Sequence, residues 1–457
     1  MIPFKRIDGR LYAEEVPVAD IAAQVGTPVY VYSQRYLESR YRLLEQAMQP
    51  RGAEICYAVK ANSNLSVLRA FAALGAGFDI VSGGELQRVV SAGGDPSRVI
   101  FSGVGKRVDE IDLALKLGIR CFNVESAPEL ARLSERARLH GRVAPVAIRV
   151  NPDIDAGTHP YISTGLATNK FGVPRAQARE LYHRASRDPA LAVCGIDCHI
   201  GSQIASPAPL LEALDSLLAL VDELERDGIA LHHIDLGGGL GVSYRLGLEN
   251  LAGDAGTNGS GVDEGTEFDV AAYGRALNAA LAGRHEQLIL EPGRYLVANG
   301  GLLLTRVEYL KPADSPDGTD FAVLDAAMND LIRPALYQAW HDVVPAGPTT
   351  SRAERRRWTL VGPVCESGDF LARDRDLALA PEDLLAVLSA GAYGMVQSSN
   401  YNTRGRPAEV MVQGDRFRVI RRRETVRDQL ALELPDGQDA LLGPADLAPT
   451  EPARVER

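Results

Sequence analysis

From EICYAVK (54–60) to LILEPGR (288–294) the chain repeats one unit: a short apolar run, a small or polar patch, then a helical stretch. The intervening runs are GFDIVS (77–82), RVIFSG (98–103), RCFNVE (120–125), PVAIRVN (145–151), VCGIDCHIG (193–201) and HHIDLGGG (232–239), which makes eight. In the segments between them, such as VDEIDLALKLG (108–118) and PELARLSERARLH (128–140), leucine, isoleucine and alanine recur at helical spacing. Strand then helix, eight times over, predicts a (β/α)8 barrel rather than an open doubly wound sheet. An earlier strand, PVYVYS (28–33), and its helix would precede the closed ring.

After LILEPGR the rhythm changes. LLLTRVEYLK (302–311), FAVLDAAM (321–328), WTLVGPVC (358–365), DLLAVLSAGAYG (383–394) and FRVIRRRE (417–424) read as strands without regular helices between them. The expected organisation is a barrel over residues 27–298 and a mainly β domain formed by 1–26 and 299–457. The stretch from Leu246 to Glu267 is rich in Gly, Asp, Asn and Ser and lacks periodicity, so it reads as a mobile surface loop.

The 457 residues are enough for two domains, and 46% hydrophobic with 24% charged residues is the mix of an ordinary globular protein. A net charge of −11 argues against a nucleic-acid partner, which needs a positive surface to displace counterions from phosphate. No apolar run reaches the ~18 residues of a membrane span, and MIPFKRIDGRLY lacks the apolar core of a signal peptide, so a cytoplasmic location is expected. Five cysteines, at 56, 121, 194, 198 and 365, form no disulfide framework. Cys194 and Cys198 would share a strand face with Ile196, which favours burial over metal ligation, and no metal site is expected.

Active sites of such barrels form at the carboxyl ends of the strands. Those ends here are Lys60, Asp79 with Ser82, Ser102, Glu125, Arg149 with Asn151, His199 with Ser202, Gly237-Gly238-Gly239, and Glu291 with Gly293 and Arg294. Desolvation at the end of an apolar strand would lower the pKa of Lys60 and free an amine for a Schiff base, although a lysine there can equally snorkel to solvent. The glycine run removes side chains where a backbone can point N–H groups at a phosphate, or it is simply a tight turn. Glu291 suits a protonated ring nitrogen, or a salt bridge to Arg294. His199 faces the mouth with Asp197, either as a stacking ring or as a histidine satisfied by one hydrogen bond.

Taken together, YAVKAN (57–62), CHIGSQ (198–203), LGGGLG (236–241) and EPGR (291–294) resemble, in order, motifs of the fold type III pyridoxal-phosphate decarboxylases. That family shares the alanine-racemase-like barrel and includes diaminopimelate, ornithine and arginine decarboxylases. The resemblance implies pyridoxal 5'-phosphate on Lys60, stacked by His199 and held by Asp79, Ser202, Gly237, Gly238, Gly239, Gly293, Arg294 and Tyr393, with Glu291 at its ring nitrogen. THPYISTGLATNKFG (158–172), MNDLIRPALYQAWH (328–341) and GPVCESGDFLA (362–372) resemble the diaminopimelate-cleaving branch rather than the diamine-forming one. They imply that Arg333, Tyr337 and Arg294 hold a distal carboxylate, that Glu366 contacts a distal ammonium, and that Tyr393 touches both phosphate and substrate. Cys365 would donate a proton, from the neighbouring subunit of a homodimer with shared active sites.

The implied reaction converts an amino acid with two amino-acid ends into lysine and carbon dioxide. Two departures stand out, the long loop at 246–267 and Met-Val-Gln after GAYG; neither touches a named catalytic position, and they leave room for a paralogue acting on a related two-ended amino acid. The rivals are a racemase or a decarboxylase for ornithine, arginine or a carrier-linked amino acid on the same fold, and a non-catalytic cofactor-binding protein. Glu291 disfavours the racemase, Arg333 the diamine-forming enzyme, and the β domain the binding protein.

Overall fold

The computed structural model describes residues 3–154, 169–245, 267–315, 317–347 and 354–433. The loop expected at 246–267, apart from Glu267, and most of the 158–172 stretch lie outside the described residues.

Eight parallel strands close a barrel: Glu54–Ala58, Gly77–Ile80, Val99–Phe101, Cys121–Val124, Ala144–Asn151, Leu191–Asp197, His233–Asp235 and Gln287–Leu290. The eighth pairs with the first through Ile289↔Glu54 and Leu290↔Ile55, and the fourth with the fifth through Phe122↔Val146. Strands buried on both faces must be apolar on both, which is why they read as continuous hydrophobic runs. Their outward residues, among them Tyr57, Phe78, Phe101, Phe122, Ile148, Ile196 and Ile234, join the main core beneath the helices. The inward face is different. Cys56, Ile100 and Ile289 form a small separate apolar cluster, while Asp79, Ser102, Asn123, Asp197 and Asp235 are all buried polar residues. Barrel interiors are ordinarily packed with branched aliphatic side chains, so this concentration of carboxylates marks the upper layer as a site.

The β domain is one sheet in the order 370–378, 355–361, 320–324, 301–311, 29–33, 408–413, 416–421, with Leu384–Val387 also paired to the strand at 301–311. The strand at 29–33, expected to go with the barrel, instead sits inside this sheet, antiparallel to Gly301–Leu304 and parallel to Ala408–Val412. Alternation explains its place. Val29 and Val31 face the core of the β domain, and Tyr30 and Tyr32 face the core shared with the barrel, so both sides are covered. Residues 4–17 form a small three-stranded sheet, and Phe4, Leu11, Val16 and Ile21 pack with Val29, Leu302, Leu304 and Val410.

All five cysteines are free thiols. Cys198 lies with Ile196 in the main core as expected, but Cys194 does not. A bulge between Val193 and Gly195 breaks the alternation there, and the Cys194 sulfur meets that of Cys121 at 3.4 Å. No helix among the described residues is long and apolar enough to cross a membrane.

Candidate active site

Lys60 follows the first barrel strand in a short 3-10 turn, Val59–Ala61, that the β domain clamps from above. Tyr393 donates its backbone N–H to Ala61 O at 2.8 Å, and Asn62 Nδ2 donates to Gly391 O at 3.1 Å. Asn64 is tied to the buried Glu409, which also accepts from the Tyr32 hydroxyl. Thus both domains fix the position of the half-buried lysine. Its Nζ lies 2.5 Å from Asp79 Oδ2. Burial alone would lower the Lys60 pKa, but Asp79, Glu291 and Tyr393 outweigh it and hold the ammonium above its ordinary value. The lowered amine expected from the sequence is therefore reversed by a neighbour on the next strand, which sequence spacing does not display.

Below Lys60 lies an acidic well. Carboxylate oxygens of Asp197, Asp235 and Glu291 lie within 4.8 Å of one another, and all three residues are buried. Burial first, and then mutual repulsion with Asp235, Asp79 and Asp197, push the Glu291 carboxyl well above its usual range. The same two causes raise Asp235 to about 7, with Asp79 as its like-charged neighbour. Arg149 enters from the fifth strand, 3.2 Å from Glu125 and 3.8 Å from Asp197. Ser102 reaches Glu291 Oε1 at 3.4 Å and accepts from Asn123 at 3.3 Å.

The residues present fit pyridoxal phosphate. Asp79 Oδ1, Asp197 Oδ1 and Asp235 Oδ2 are buried acceptors with no hydrogen-bond partner. An unmet buried polar group costs about 1–3 kcal/mol, and a protonated ring nitrogen is the kind of donor such a well would take in. His199 forms one wall. Its Nδ1 accepts from the Gly238 N–H at 3.0 Å, and burial, reinforced by Arg149 and Lys60, pushes its pKa well below the usual value, so the ring is neutral.

The triple glycine has steric causes of its own. Gly237 and Gly239 have φ of +63° and +91°, and a Cβ on Gly238 would lie 2.2 Å from Glu291 O. The Gly237 and Gly238 N–H groups point at Asp235 and His199, so the expectation that they face a phosphate is corrected at these two positions. Ser202 and Arg294 supply polar groups beside the loop: Arg294 Nη2 donates to Ser202 Oγ at 3.0 Å, and its guanidinium lies 4.8 Å from the Tyr393 ring centre. Arg294 thus bonds Ser202 and Tyr244, and no pairing with Glu291 is seen among the described residues. Gly293 packs against Ala58 and Ala61, leaving no room for a side chain beside the lysine turn.

Tyr244, not singled out in the sequence, joins two guanidinium groups. Its hydroxyl accepts from Arg294, and its ring lies 4.5 Å from the guanidinium of the buried Arg333. Arg333 also meets His341 Nε2 at 2.8 Å, whose Nδ1 meets Leu388 O at 2.8 Å. Burial and Arg333 push the His341 pKa well down, so it accepts from Arg333. Tyr337 shares the short helix Arg333–Tyr337, and Gln397 Nε2 lies 3.5 Å from its hydroxyl. Gln397 belongs to the unusual Met-Val-Gln stretch, which thus meets a residue of the expected substrate site without touching a catalytic one.

Cys365 and Glu366 are placed differently. Both are exposed; Cys365 N–H donates to Asn402 Oδ1 at 2.8 Å, and Glu366 accepts from the Tyr401 hydroxyl at 3.3 Å. Asn402 and Tyr401 both belong to the β domain, not to the barrel rim.

A family described as pyridoxal-dependent decarboxylase, pyridoxal binding domain, matches residues 34–298. The diaminopimelate decarboxylase of Pseudomonas aeruginosa is 55% identical over 433 residues, covering 95% of this chain and 99% of that relative. The crystal structure of diaminopimelate decarboxylase from Helicobacter pylori complexed with L-lysine has a TM-score of 0.82 at 39% identity, covering 91% of this chain and 99% of that one. The M. jannaschii enzyme in co-complex with L-lysine has a TM-score of 0.85 at 34% identity, over 95% and 99%. The chain belongs to the diaminopimelate decarboxylase family. Pyridoxal phosphate is accordingly its cofactor.

Proposed function

We propose that this chain removes one carboxylate of meso-2,6-diaminopimelate, giving L-lysine and carbon dioxide, the last step of lysine formation. The observation that carries the reading is the pair of buried guanidinium groups, Arg294 and Arg333, linked by Tyr244 beside the lysine turn. A buried, pre-positioned cation pair suits a substrate with a carboxylate at the end remote from the reacting carbon, which lysine and ornithine lack.

Lys60 holds the cofactor covalently, with Asp79 beside its nitrogen. Bound pyridoxal phosphate supplies an electron-accepting ring for the electrons of the breaking Cα–carboxylate bond. Glu291, backed by Asp235, keeps the proton on the ring nitrogen, and the pKa values of these two carboxyls match the task because that proton gives them the positive neighbour they lack. His199 presents its flat neutral face to the ring. Ser202 and Arg294, beside the glycine loop, would receive the phosphate, and Tyr393 would close the site over it. Arg333, Arg294 and Tyr337 would hold the substrate through its distal end, so that binding energy orients the carboxylate that leaves. The exposure of Cys365 and Glu366 supports a role across a homodimer interface, where Cys365 returns a proton to Cα and Glu366 receives the distal ammonium of the neighbouring site. The barrel unit begins after Val29–Ser33, at residue 34, and runs to 298, while that strand belongs with the β unit; a cytoplasmic location suits a reaction on a small soluble amino acid.

The test is carbon dioxide release from the purified protein with meso-diaminopimelate, its LL isomer, lysine, ornithine and arginine. Borohydride reduction of the coloured holoenzyme should label Lys60. Preference for ornithine or arginine would overturn the substrate, and a label on another lysine would overturn the cofactor assignment.

A further inference from the structure

At the amino ends of the barrel strands, opposite the catalytic rim, Cys121 opens the fourth strand, Cys194 occupies the bulge of the sixth and His233 opens the seventh. One ligand atom from each lies within 4.8 Å of the other two, and the two sulfurs are 3.4 Å apart. Cys121 and His233 are buried, while Cys194 is half-buried. His233 Nε2 has no hydrogen-bond partner although its ring is 3% exposed, and the imidazole is held in place because its edge fills the space over Gly195. A buried nitrogen lone pair or N–H left unmet costs free energy, and a nitrogen of this ring lies within 4.8 Å of both sulfurs.

We propose that Cys121, Cys194 and His233 form a binding site for a borderline-soft divalent cation of the zinc type. In a tetrahedral zinc site with metal–sulfur bonds of ~2.3 Å and metal–nitrogen bonds of ~2.0 Å, ligand atoms lie roughly 3.5–3.8 Å apart. The sulfur pair, at 3.4 Å, needs to open by about 0.4 Å, and the histidine needs a shift of about 1.3 Å at most. As thiols the pair is weakly held: Cys194 lies 3.2 Å from Val146 O, and Cys121 lies 3.8 Å from Asn123 Oδ1. On binding, two metal–sulfur bonds form as two S–H protons leave to solvent, and no electron changes hands. Two thiolates and one dication leave the pocket neutral, which a low-dielectric barrel floor requires. The open side at Cys194 admits the cation, and solvent supplies the fourth ligand.

The holoenzyme, reduced with a phosphine and freed of metal by a chelator, is titrated with Zn2+ and, in parallel, with Co2+. One equivalent per chain should bind, and cobalt should give tetrahedral ligand-field bands at wavelengths above the cofactor's absorption. Cys194→Ser and His233→Gln should each weaken binding at least tenfold while keeping cofactor colour and carbon dioxide release. Without any substitution, Zn2+ should slow alkylation of Cys194 at least tenfold and leave that of the exposed Cys365 unchanged. Substoichiometric uptake, uptake equal in both variants and parent, or unprotected Cys194 would overturn the site. So would a protein in which Cys121 and Cys194 pair as a disulfide and take up no metal after reduction.

Discussion

Removal of the Arg333 guanidinium by Arg333→Ala tests the reading of the distal carboxylate most directly. The group is 6% exposed, stacked on Tyr244 and hydrogen-bonded to a neutral His341, so a substrate carboxylate meeting it leaves water almost completely. Losing one partner of such a desolvated charge pair costs ~2–5 kcal/mol. The buried position pulls toward the upper end, but Arg294, on the other side of Tyr244, remains as a second cation. About 3–4 kcal/mol is the balance, which lowers kcat/KM for diaminopimelate roughly 140- to 700-fold at 1.4 kcal/mol per decade. For lysine, which brings no carboxylate to that place, kcat/KM should fall far less or rise. The assay is the ratio of the two kcat/KM values in parent and variant, from carbon dioxide release, with the cofactor spectrum as a check on the fold. Added guanidinium ion should recover part of the diaminopimelate rate, since the substitution leaves a cavity of that shape beside His341. An unchanged ratio would refute the assignment of Arg333, even with a large loss of overall rate.

Glu291→Gln keeps shape while removing charge, so it should retain bound cofactor and lose about two to three decades of kcat; retention of most turnover would rule out its part at the ring nitrogen. Inactive Lys60→Ala and Cys365→Ala chains, mixed under conditions of subunit exchange, should regain activity, because a hybrid dimer contains one site with both residues; no recovery despite demonstrated exchange would place Cys365 elsewhere. Asp330, whose pKa burial raises to about 7, binds its proton more tightly folded than unfolded, so its contribution is full below pH ~4 and is lost as pH rises toward 7. Thermal unfolding of Asp330→Asn should therefore show a smaller fall between these pH values than the parent, and identical profiles would count against that titration.

The barrel was legible because each parallel strand is an apolar run and each helix a stripe, patterns local enough to read one element at a time. The β domain was less so. Phe370–Ala378 carries Arg373, Asp374, Arg375 and Asp376 on one short strand, which masks its alternation, and Ala408–Gln413 lies beside a strand nearly 380 positions earlier. Of the site, Lys60, His199 and Glu291 announce themselves at strand ends. Asp197 and Asp235 were within reach, since they stand two positions before His199 and Gly237 on the inward face, but carboxylates inside a barrel run against the usual apolar filling. Tyr244 and His341 gave no local signal, because tertiary folding alone brings them to the two arginines. The Lys60 pKa was misjudged for the same reason: Asp79 lies on a different strand.

The pairing of Val29–Ser33 bears on how the protein is made. Its first sheet partner begins at Gly301, so at ribosomal rates of 5–20 residues per second a nascent chain carries this strand with open edges for on the order of 10–60 s. During that time all eight barrel strands emerge, yet the valines and tyrosines at 29–32 have neither neighbour, and an open apolar edge is a template for another chain. A fragment ended before Gly301 would hold every strand of the barrel and still expose that edge. Translation of the β domain is thus the moment at which the nascent protein ceases to be adhesive.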